Sequence, residues 1–156
     1  MSKVLFVCLG NICRSPLAEA IFDHKCETLK VADWESDSAG TAAYHVGEQP
    51  DPRSVEVARE NGVSINHSAR KFRSSDVDEF DFIFAMDQAN YRDIVSAVGH
   101  RPSNLYLLRD FESNALPGSK QEVPDPYYGG PEGFSYIFEL MSDCIDNFIR
   151  REILSD

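Results

Sequence analysis

Three short, continuous runs of apolar residues limit the folds open to this chain more than any other feature. They cover residues 4–8 ("VLFVC"), 80–86 ("FDFIFAM") and 104–108 ("NLYLL"). Runs of this kind are typical of strands that are buried on both faces of a parallel sheet. A less apolar run at residues 34–39 predicts a fourth strand, which ends at Gly40.

Helical patterns separate these runs. The first helix is predicted to begin at Ser15, which we expect to cap it, with Pro16 in its first turn. Its predicted buried face consists of Leu17, Ala20, Ile21 and His24. Further helices are predicted at residues 52–61, 87–97 and 133–154. Alternating strands and helices predict an α/β fold, a doubly wound parallel sheet with helices on both faces.

Length and composition predict one soluble domain. A chain of 156 residues with 42% hydrophobic content can form one core, so residues 1–156 are expected to be a single domain. The apolar runs are far shorter than the ~20 residues that cross a bilayer, and the N-terminus has no signal-like pattern. Four cysteines without such a signal predict reduced thiols and a cytoplasmic location.

The net charge of −11 argues against binding to nucleic acids or to anionic membranes, because both attract a positively charged surface. An anionic substrate must therefore be bound by a local site. Two segments offer one: the loop after the first strand, and a long loop rich in proline and glycine between Arg109 and Pro131.

The loop after the first strand reads "VCLGNICRSP" (residues 7–16) and leads into the first helix. Ligands of doubly wound sheets bind beyond the carboxyl ends of the strands, where this loop is expected. Its N–H groups and the helix dipole are predicted to cradle an anion and to stabilise a thiolate at Cys8, while Arg14 can bind two phosphoryl oxygens. This combination predicts phosphoryl transfer to cysteine. The other residues of the cradle are Leu9, Gly10, Asn11, Ile12, Cys13 and Ser15.

Glycine and asparagine readily adopt left-handed backbone angles, which predicts that Gly10 and Asn11 shape this loop. The spacing C-x5-R by itself is a weak signal, and the strand before it and the helix with Pro16 after it strengthen it. The alternative is a buried cysteine at the end of a strand with an unrelated surface arginine. A Walker-type nucleotide site is excluded, since the loop lacks a Gly-Lys-Ser/Thr ending.

The second loop has the sequence "VPDPYYGG" at its centre (residues 123–130). Asp125 is the candidate proton donor for a leaving group, because the rings of Tyr127 and Tyr128 could desolvate it and flank a flat substrate. Asp-Pro and Gly-Gly pairs are also common in simple turns, and composition does not separate the two interpretations.

The segment "VLFVCLGNICRSPLAEAIF" resembles the low-molecular-weight protein tyrosine phosphatase family and matches its motif V-C-x-G-N-x-C-R-S-P without departure. The segments "DSAGT" (37–41), "FAMDQAN" (84–90) and "DPYYGG" extend the resemblance, which covers about residues 3–150. It implies a flavodoxin-like fold with four parallel strands. It also implies hydrolysis of phosphotyrosine in proteins, and of small aryl phosphates, without a metal or an organic cofactor.

The resemblance implies roles for individual residues. Cys8 is the nucleophile that forms phosphocysteine, Arg14 clamps the transition state, and Asp125 is first acid and then base. Ser15 donates a hydrogen bond to the thiolate. Tyrosine-phosphorylated proteins are the expected partners, and phosphate, vanadate or sulfate the expected anions. The loop is supported by Asn11, Ser15, Ser38 and His67, and the substrate ring is flanked by Tyr44, Tyr127 and Tyr128.

For two residues, the sequence leaves two interpretations open. Cys13 either forms a reversible disulfide with Cys8 that protects it from over-oxidation, as the resemblance implies, or is a small packed side chain. Asp87 either caps the helix that begins beside it or belongs to the site. The remaining cysteines, Cys26 and Cys144, are predicted to be inert.

Related activities of the same fold are disfavoured by the residues present. Arsenate reductases add a cysteine pair near the third strand–helix junction, and residues 82–90 contain no cysteine. Phosphoarginine phosphatases are associated with threonine at the position before Cys13, where this chain has Ile12. A silent phosphate-binding module would lack the nucleophile or the acid, whereas Cys8 and Asp125 are both present.

Overall fold

A computed structural model describes residues 1–113, 121–127 and 129–154. Four strands form one parallel sheet in the order β2-β1-β3-β4, which confirms the predicted doubly wound, flavodoxin-like architecture. The predicted strands are confirmed, although only the central residues of the second and third apolar runs pair in the sheet. The strands are β1 (Ser2–Cys8), β2 (Trp34–Gly40), β3 (Phe82–Ala85) and β4 (Leu105–Leu107).

The helices cover both faces of the sheet, as predicted. The last predicted helix is α-helical only as far as Phe148 and continues as a π-helical turn, Ile149–Ile153. Two four-residue elements, α3 and a 3-10 turn at Leu108–Phe111, were not predicted, because one helical turn is too short to show a periodic pattern. The α-helices are α1 (Arg14–Thr28), α2 (Pro52–Glu60), α3 (Asp76–Glu79), α4 (Gln88–Val98) and α5 (Pro131–Phe148).

Alternate side chains of β1 enter two separate apolar layers. Val4 and Phe6 pack in the layer formed with α1 and α5, and Leu5 and Val7 pack in the layer that includes Ile94 of α4. All four β1 side chains are fully buried. The central strand is therefore covered on both faces, which explains its unbroken apolar sequence.

Two predictions about α1 are wrong. Ser15 does not cap the helix, since the N-cap is Cys13 and the Ser15 hydroxyl is turned toward the Cys8 sulfur. His24 is exposed, and the buried side of the helix continues instead through Phe22 and Cys26. The physical reason is that α5 packs against α1, so the buried stripe turns toward α5.

The sheet brings the ends of three strands to one edge. Cys8, the last residue of β1, is paired with Gly40, the last residue of β2, and Val7 is paired with Ala85 of β3. The chain order reverses at β1, which lies between β2 and β3, and such a switch point opens a crevice at the carboxyl edge. No helix among the described residues is long and apolar enough to cross a membrane.

Candidate active site

A pocket of about 220 Å³ lies at this edge of the sheet. Asn11 and Ser15 lie beneath it, and Tyr128 is outside the described residues. His45 also lines the pocket, although the sequence analysis did not select it. The selected residues that line the pocket are Cys8, Leu9, Gly10, Ile12, Cys13, Arg14, Tyr44, Asp125 and Tyr127.

The Cys8 thiol lies at the bottom of the pocket with 2% of the residue exposed. Its sulfur is 3.0 Å from the Ser15 hydroxyl, which in turn accepts a hydrogen bond from Asn11 Nδ2 at 2.7 Å. Because the Ser15 oxygen already accepts from Asn11, its single hydrogen is available to the Cys8 sulfur or, at 3.4 Å, to the Ala39 carbonyl oxygen.

The backbone of residues 8–14, the Cys8 loop, is oriented by its carbonyl groups. Four of these carbonyls accept hydrogen bonds of 2.8–3.2 Å from segments outside the loop. The peptide bonds are trans, so each N–H that follows such a carbonyl points away from the segment that binds the carbonyl. N–H groups that several successive peptides leave available in this way can bind an anion. The pairs are Thr41 N to Cys8 O, Ala42 N to Leu9 O, Asp51 N to Ile12 O and Ser54 Oγ to Cys13 O.

Asn11 is 1% exposed and holds the loop from below. It adopts a left-handed φ of 59° and accepts hydrogen bonds from Arg70 N and His67 Nε2 at 2.9 and 2.7 Å. Its amide donates to Ser15 and, at 3.0 Å, to the Ser38 hydroxyl. This side chain therefore links the Cys8 loop to the end of β2 and to the segment around His67.

The prediction for Gly10 is wrong, because its φ is not left-handed. A Cβ at Gly10 would lie 2.9 Å from Cδ2 of His45, a partly exposed side chain that can move aside. The requirement at Gly40 is stricter, since a Cβ there would lie 2.7 Å from the Leu9 carbonyl oxygen. Gly40 therefore permits the close packing of β2 against the Cys8 loop.

Glu19 and His67 face each other beside Asn11. Asn11 Oδ1 is an acceptor, so the facing His67 Nε2 carries a hydrogen, and His67 Nδ1 lies 3.2 Å from Glu19 Oε1. Burial raises the pKa of Glu19 to about 8, and burial lowers the pKa of His67. Both shifts disfavour the charged forms of the two side chains.

Ligand atoms of Glu19, Asp37 and His67 lie within 4.8 Å of one another, as in a metal site. Their oxygens are already engaged, however. Glu19 accepts from the Ser38 hydroxyl at 2.6 Å, and Asp37 accepts from Arg70 Nε and from Ser38 N at 3.0 and 2.8 Å. This donor set fits a support for the Cys8 loop better than it fits a cation.

The Arg14 guanidinium forms the buried wall of the pocket. Nη1 donates to Asp87 Oδ2 at 2.8 Å and to the Val123 carbonyl at 3.0 Å, while Nη2 lies 3.8 Å from Asp125 Oδ2. Burial opposes its charge, but interactions with Cys8 and Asp87 outweigh burial and raise the pKa of Arg14. Asp87 also accepts from Asn90 N and caps α4, so it fills both roles that the sequence left open.

Asp125 lies at the mouth of the pocket, in residues 123–127, the Asp125 loop. Its side chain is 42% exposed, and its Oδ1 accepts a hydrogen bond from Tyr127 N at 3.1 Å. The segment is therefore a local turn and also part of the pocket wall. Tyr44 and Tyr127 stand at the rim, both exposed.

All four cysteines are free thiols. Burial, with the nearby Asp51 carboxylate, raises the pKa of Cys13, which keeps it protonated beside Cys8. Protective disulfide formation by Cys13 stays a prediction. Cys26 and Cys144 are buried away from the pocket, where burial raises their pKa values to about 11 and about 12.

Sequence reasoning missed His45, Glu19 and Asp51. A signal existed for Asp51, because an aspartate before Pro52 is typical of a helix N-cap. Nothing distinguished Glu19 from other acidic residues, since its burial depends on how α1 packs.

The comparisons with known proteins agree on one family. Residues 3–155 match the model of the low molecular weight phosphotyrosine protein phosphatase family. The chain is 46% identical to the phosphatase of that name from Schizosaccharomyces pombe, over 95% of each chain.

Solved structures extend this similarity to the fold. A protein tyrosine phosphatase from Entamoeba histolytica, crystallised with Hepes in its active site, has a TM-score of 0.90 at 38% identity and covers 97% of this chain and 96% of its own. A drosophila arginine phosphatase has a TM-score of 0.86 at 32% identity and covers 99% of both chains. Since the matches span nearly the whole chain, including both segments that form the pocket, this protein belongs to the low molecular weight phosphotyrosine protein phosphatase family.

Proposed function

We propose that the protein is a phosphomonoesterase that hydrolyses phosphotyrosine in proteins, and small aryl phosphates, through a phosphocysteine intermediate. One observation carries the proposal: the Cys8 sulfur, the Arg14 guanidinium and the Asp125 carboxyl line one pocket. Family membership supports the same chemistry.

In the first step, the Cys8 thiolate attacks the phosphorus atom, and the bond from phosphorus to the phenolic oxygen breaks. Asp125, in its protonated form, donates its proton to that oxygen, and the phenol leaves. The N–H groups of the Cys8 loop bind the remaining phosphoryl oxygens together with Arg14 Nε and Nη2, because Arg14 Nη1 already donates both its hydrogens to Asp87 and Val123.

In the second step, a water molecule attacks phosphocysteine. Asp125, now a carboxylate, accepts a proton from the water, the S–P bond breaks, and inorganic phosphate leaves the regenerated thiolate. Ser15 donates to this sulfur as it departs, which stabilises the negative charge that returns to it. Phosphate, vanadate and sulfate are expected to bind in the same place and to inhibit.

The rim residues favour an aromatic substrate. Ile12 and Tyr44 line the pocket together with Tyr127, and they offer apolar contact to a phenyl ring. The similarity to an arginine phosphatase supports a second candidate, hydrolysis of phosphoarginine. Ile12, which the family resemblance associates with phosphotyrosine, favours the first.

The purified protein tests the proposal directly. We expect hydrolysis of p-nitrophenyl phosphate at mildly acidic pH and faster release of phosphate from phosphotyrosine peptides than from phosphoarginine peptides. Mass spectrometry after a single turnover should detect phosphate on Cys8. A protein that binds vanadate but never forms this adduct would be a binding module, and the proposal would then be wrong. If phosphate is released faster from phosphoarginine peptides, phosphoarginine is the preferred substrate instead.

A cytoplasmic location is part of the proposal. Four free thiols, with Cys8 and Cys13 in the same loop, support a reducing compartment.

A further inference from the structure

Arg53, the second residue of α2, connects the two loops that form the pocket. Its guanidinium donates two hydrogen bonds to the Asp51 carboxylate, from Nε to Oδ1 at 3.0 Å and from Nη2 to Oδ2 at 2.9 Å. This paired geometry fixes the plane of the guanidinium. Arg53 is therefore anchored by Asp51.

Asp51 is itself fixed to the Cys8 loop. Its N–H donates to the Ile12 carbonyl at 2.8 Å, and its side chain caps α2 by accepting from Arg53 N at 2.8 Å. The next turn adds a second link, since the Ser54 hydroxyl donates to the Cys13 carbonyl at 3.2 Å. The N-terminus of α2 and the Cys8 loop consequently form one hydrogen-bonded unit.

The guanidinium also contacts the other side of the pocket. Its carbon lies 5.4 Å from the ring centre of Tyr127 and 4.6 Å from that of Phe134, within the range of cation–π contacts. Phe134 is buried in the first turn of α5 and provides a fixed wall. Tyr127 belongs to the Asp125 loop, and its N–H donates to Asp125.

Among the residues that the structure describes, Asp125 has few fixed contacts. Its side chain is 42% exposed, and its distance of 3.8 Å from Arg14 Nη2 is too long for a hydrogen bond. The position of its carboxyl therefore depends on how the turn with Tyr127 is held.

We propose that Arg53 is a positioning residue that sets the place of Asp125 over the pocket by holding Tyr127 against a support anchored to the Cys8 loop. The inference rests on the proposed function, because it requires Asp125 as the proton donor. Arg53 does not act as an anion contact: its charge is paired with Asp51, and it is not among the residues that line the pocket.

A proton donor matters more for a poor leaving group than for a good one, so the test compares leaving groups. We would measure kcat/KM for phenyl phosphate and for p-nitrophenyl phosphate with the parent, R53A, R53K and R53M. The control is R59A, which removes an exposed arginine of the same helix that pairs with Glu56. Vanadate inhibition would report whether the anion site is intact.

We expect R53A to lower kcat/KM on the order of 10-fold for phenyl phosphate, and no more than about 3-fold for p-nitrophenyl phosphate. R53K keeps the positive charge but not the planar guanidinium with its paired donors, so it should behave like R53A. R59A should behave like the parent. R53M keeps an apolar contact with both rings and provides a folded variant if R53A is unstable. Vanadate inhibition should change by less than about 3-fold, because phosphate recognition depends on the Cys8 loop.

The D125A background separates positioning from general damage. If Arg53 acts through Asp125, the ratio of kcat/KM for p-nitrophenyl phosphate to kcat/KM for phenyl phosphate should be the same in D125A and in the double variant R53A/D125A. Two results would overturn the inference. One is that R53A lowers kcat/KM equally for both substrates, and the other is that R53A changes the ratio as much in D125A as in the parent. Two other results would contradict the proposed function itself rather than the role of Arg53. They are a parent without phosphatase activity, and a D125A variant whose dependence on the leaving group equals that of the parent.

Discussion

The Cys8 loop and the Asp125 loop face each other across the pocket, but they are held in opposite ways. In the Cys8 loop, Cys8, Asn11 and Arg14 are each at most 2% exposed, and outward carbonyls are bonded to neighbouring segments. Asp125 and Tyr127 are partly exposed and are held by a turn and a ring contact.

This difference fits the two proposed tasks. Binding a phosphoryl group requires dipoles that are already oriented, because reorienting them during the reaction would cost free energy. The proposed proton donor takes its proton back from the attacking water in the second step, so water must be able to reach it. Four changes test whether the contrast is functional, and they are given in order of decreasing expected effect.

C8S should give the largest effect. The serine hydroxyl is a far weaker nucleophile at neutral pH, so we expect kcat for p-nitrophenyl phosphate to fall on the order of 10⁴-fold or more. Vanadate or phosphate binding, measured by calorimetry, should persist because the surrounding N–H groups are unchanged. Residual turnover within 10-fold of the parent, which corresponds to a barrier increase of no more than about 1.4 kcal/mol, would exclude Cys8 as the nucleophile.

D125A should give a smaller loss that depends on the substrate. General acid catalysis contributes roughly 10²- to 10⁴-fold, so we expect a loss on the order of 10²-fold in kcat/KM for phenyl phosphate and a smaller one for p-nitrophenyl phosphate. Steady-state kinetics with both substrates measure this, and R59A, a change at an exposed residue that does not line the pocket, is the control. A loss of the same size for both substrates would contradict the role of Asp125.

N11G tests the support of the Cys8 loop. Glycine accepts the left-handed φ of this position but removes four side-chain hydrogen bonds to Ser15, Ser38, His67 and Arg70 N. We expect the free energy of unfolding to fall on the order of 2–3 kcal/mol, since buried partners are left unpaired. The control N61G removes an exposed asparagine with one bond to Val57 O and should cost less than about 1 kcal/mol. Urea unfolding distinguishes them, and equal losses would show that Asn11 is not a special support.

E19Q should give the smallest effect, which appears as a change in pH dependence. The folded pKa of Glu19 is about 8 and its ordinary value is 4.5, so between these values the folded state holds a proton that the unfolded state has lost. This contribution makes stability fall as pH rises through that window, by at most about 1.4 kcal/mol per pH unit. The lowered pKa of His67 makes stability rise with pH around 6.5, in the opposite direction, so Glu19 is isolated by comparing the parent with E19Q, since both proteins contain His67.

Urea unfolding at pH 6.5 and 8 would measure the effect. E19Q should lose less stability than the parent over this interval, whereas E27Q, on the exposed face of the same helix, should follow the parent. A parent and an E19Q variant with identical pH dependence would show that Glu19 is ionised in the folded protein throughout.

The sequence by itself determined the fold class and the position of the Cys8 loop. Buried strands require continuous apolar runs, and helices require a spacing of about 3.6 residues, so both can be recognised locally. The motif around Cys8 and Arg14 is also local, because one strand end and one helix start hold all its members.

The tertiary structure decided which distant side chains meet. The contact of Glu19 with His67, and the contact of Arg53 with Tyr127, join segments whose spacing in the chain carries no signal. The prediction that Ser15 caps the first helix was wrong for the same reason. Serine has a local preference for the N-cap position, but here its hydroxyl bonds to the Cys8 sulfur. A sequence pattern reports whether a residue is buried, whereas its partners depend on how whole helices and loops pack against one another.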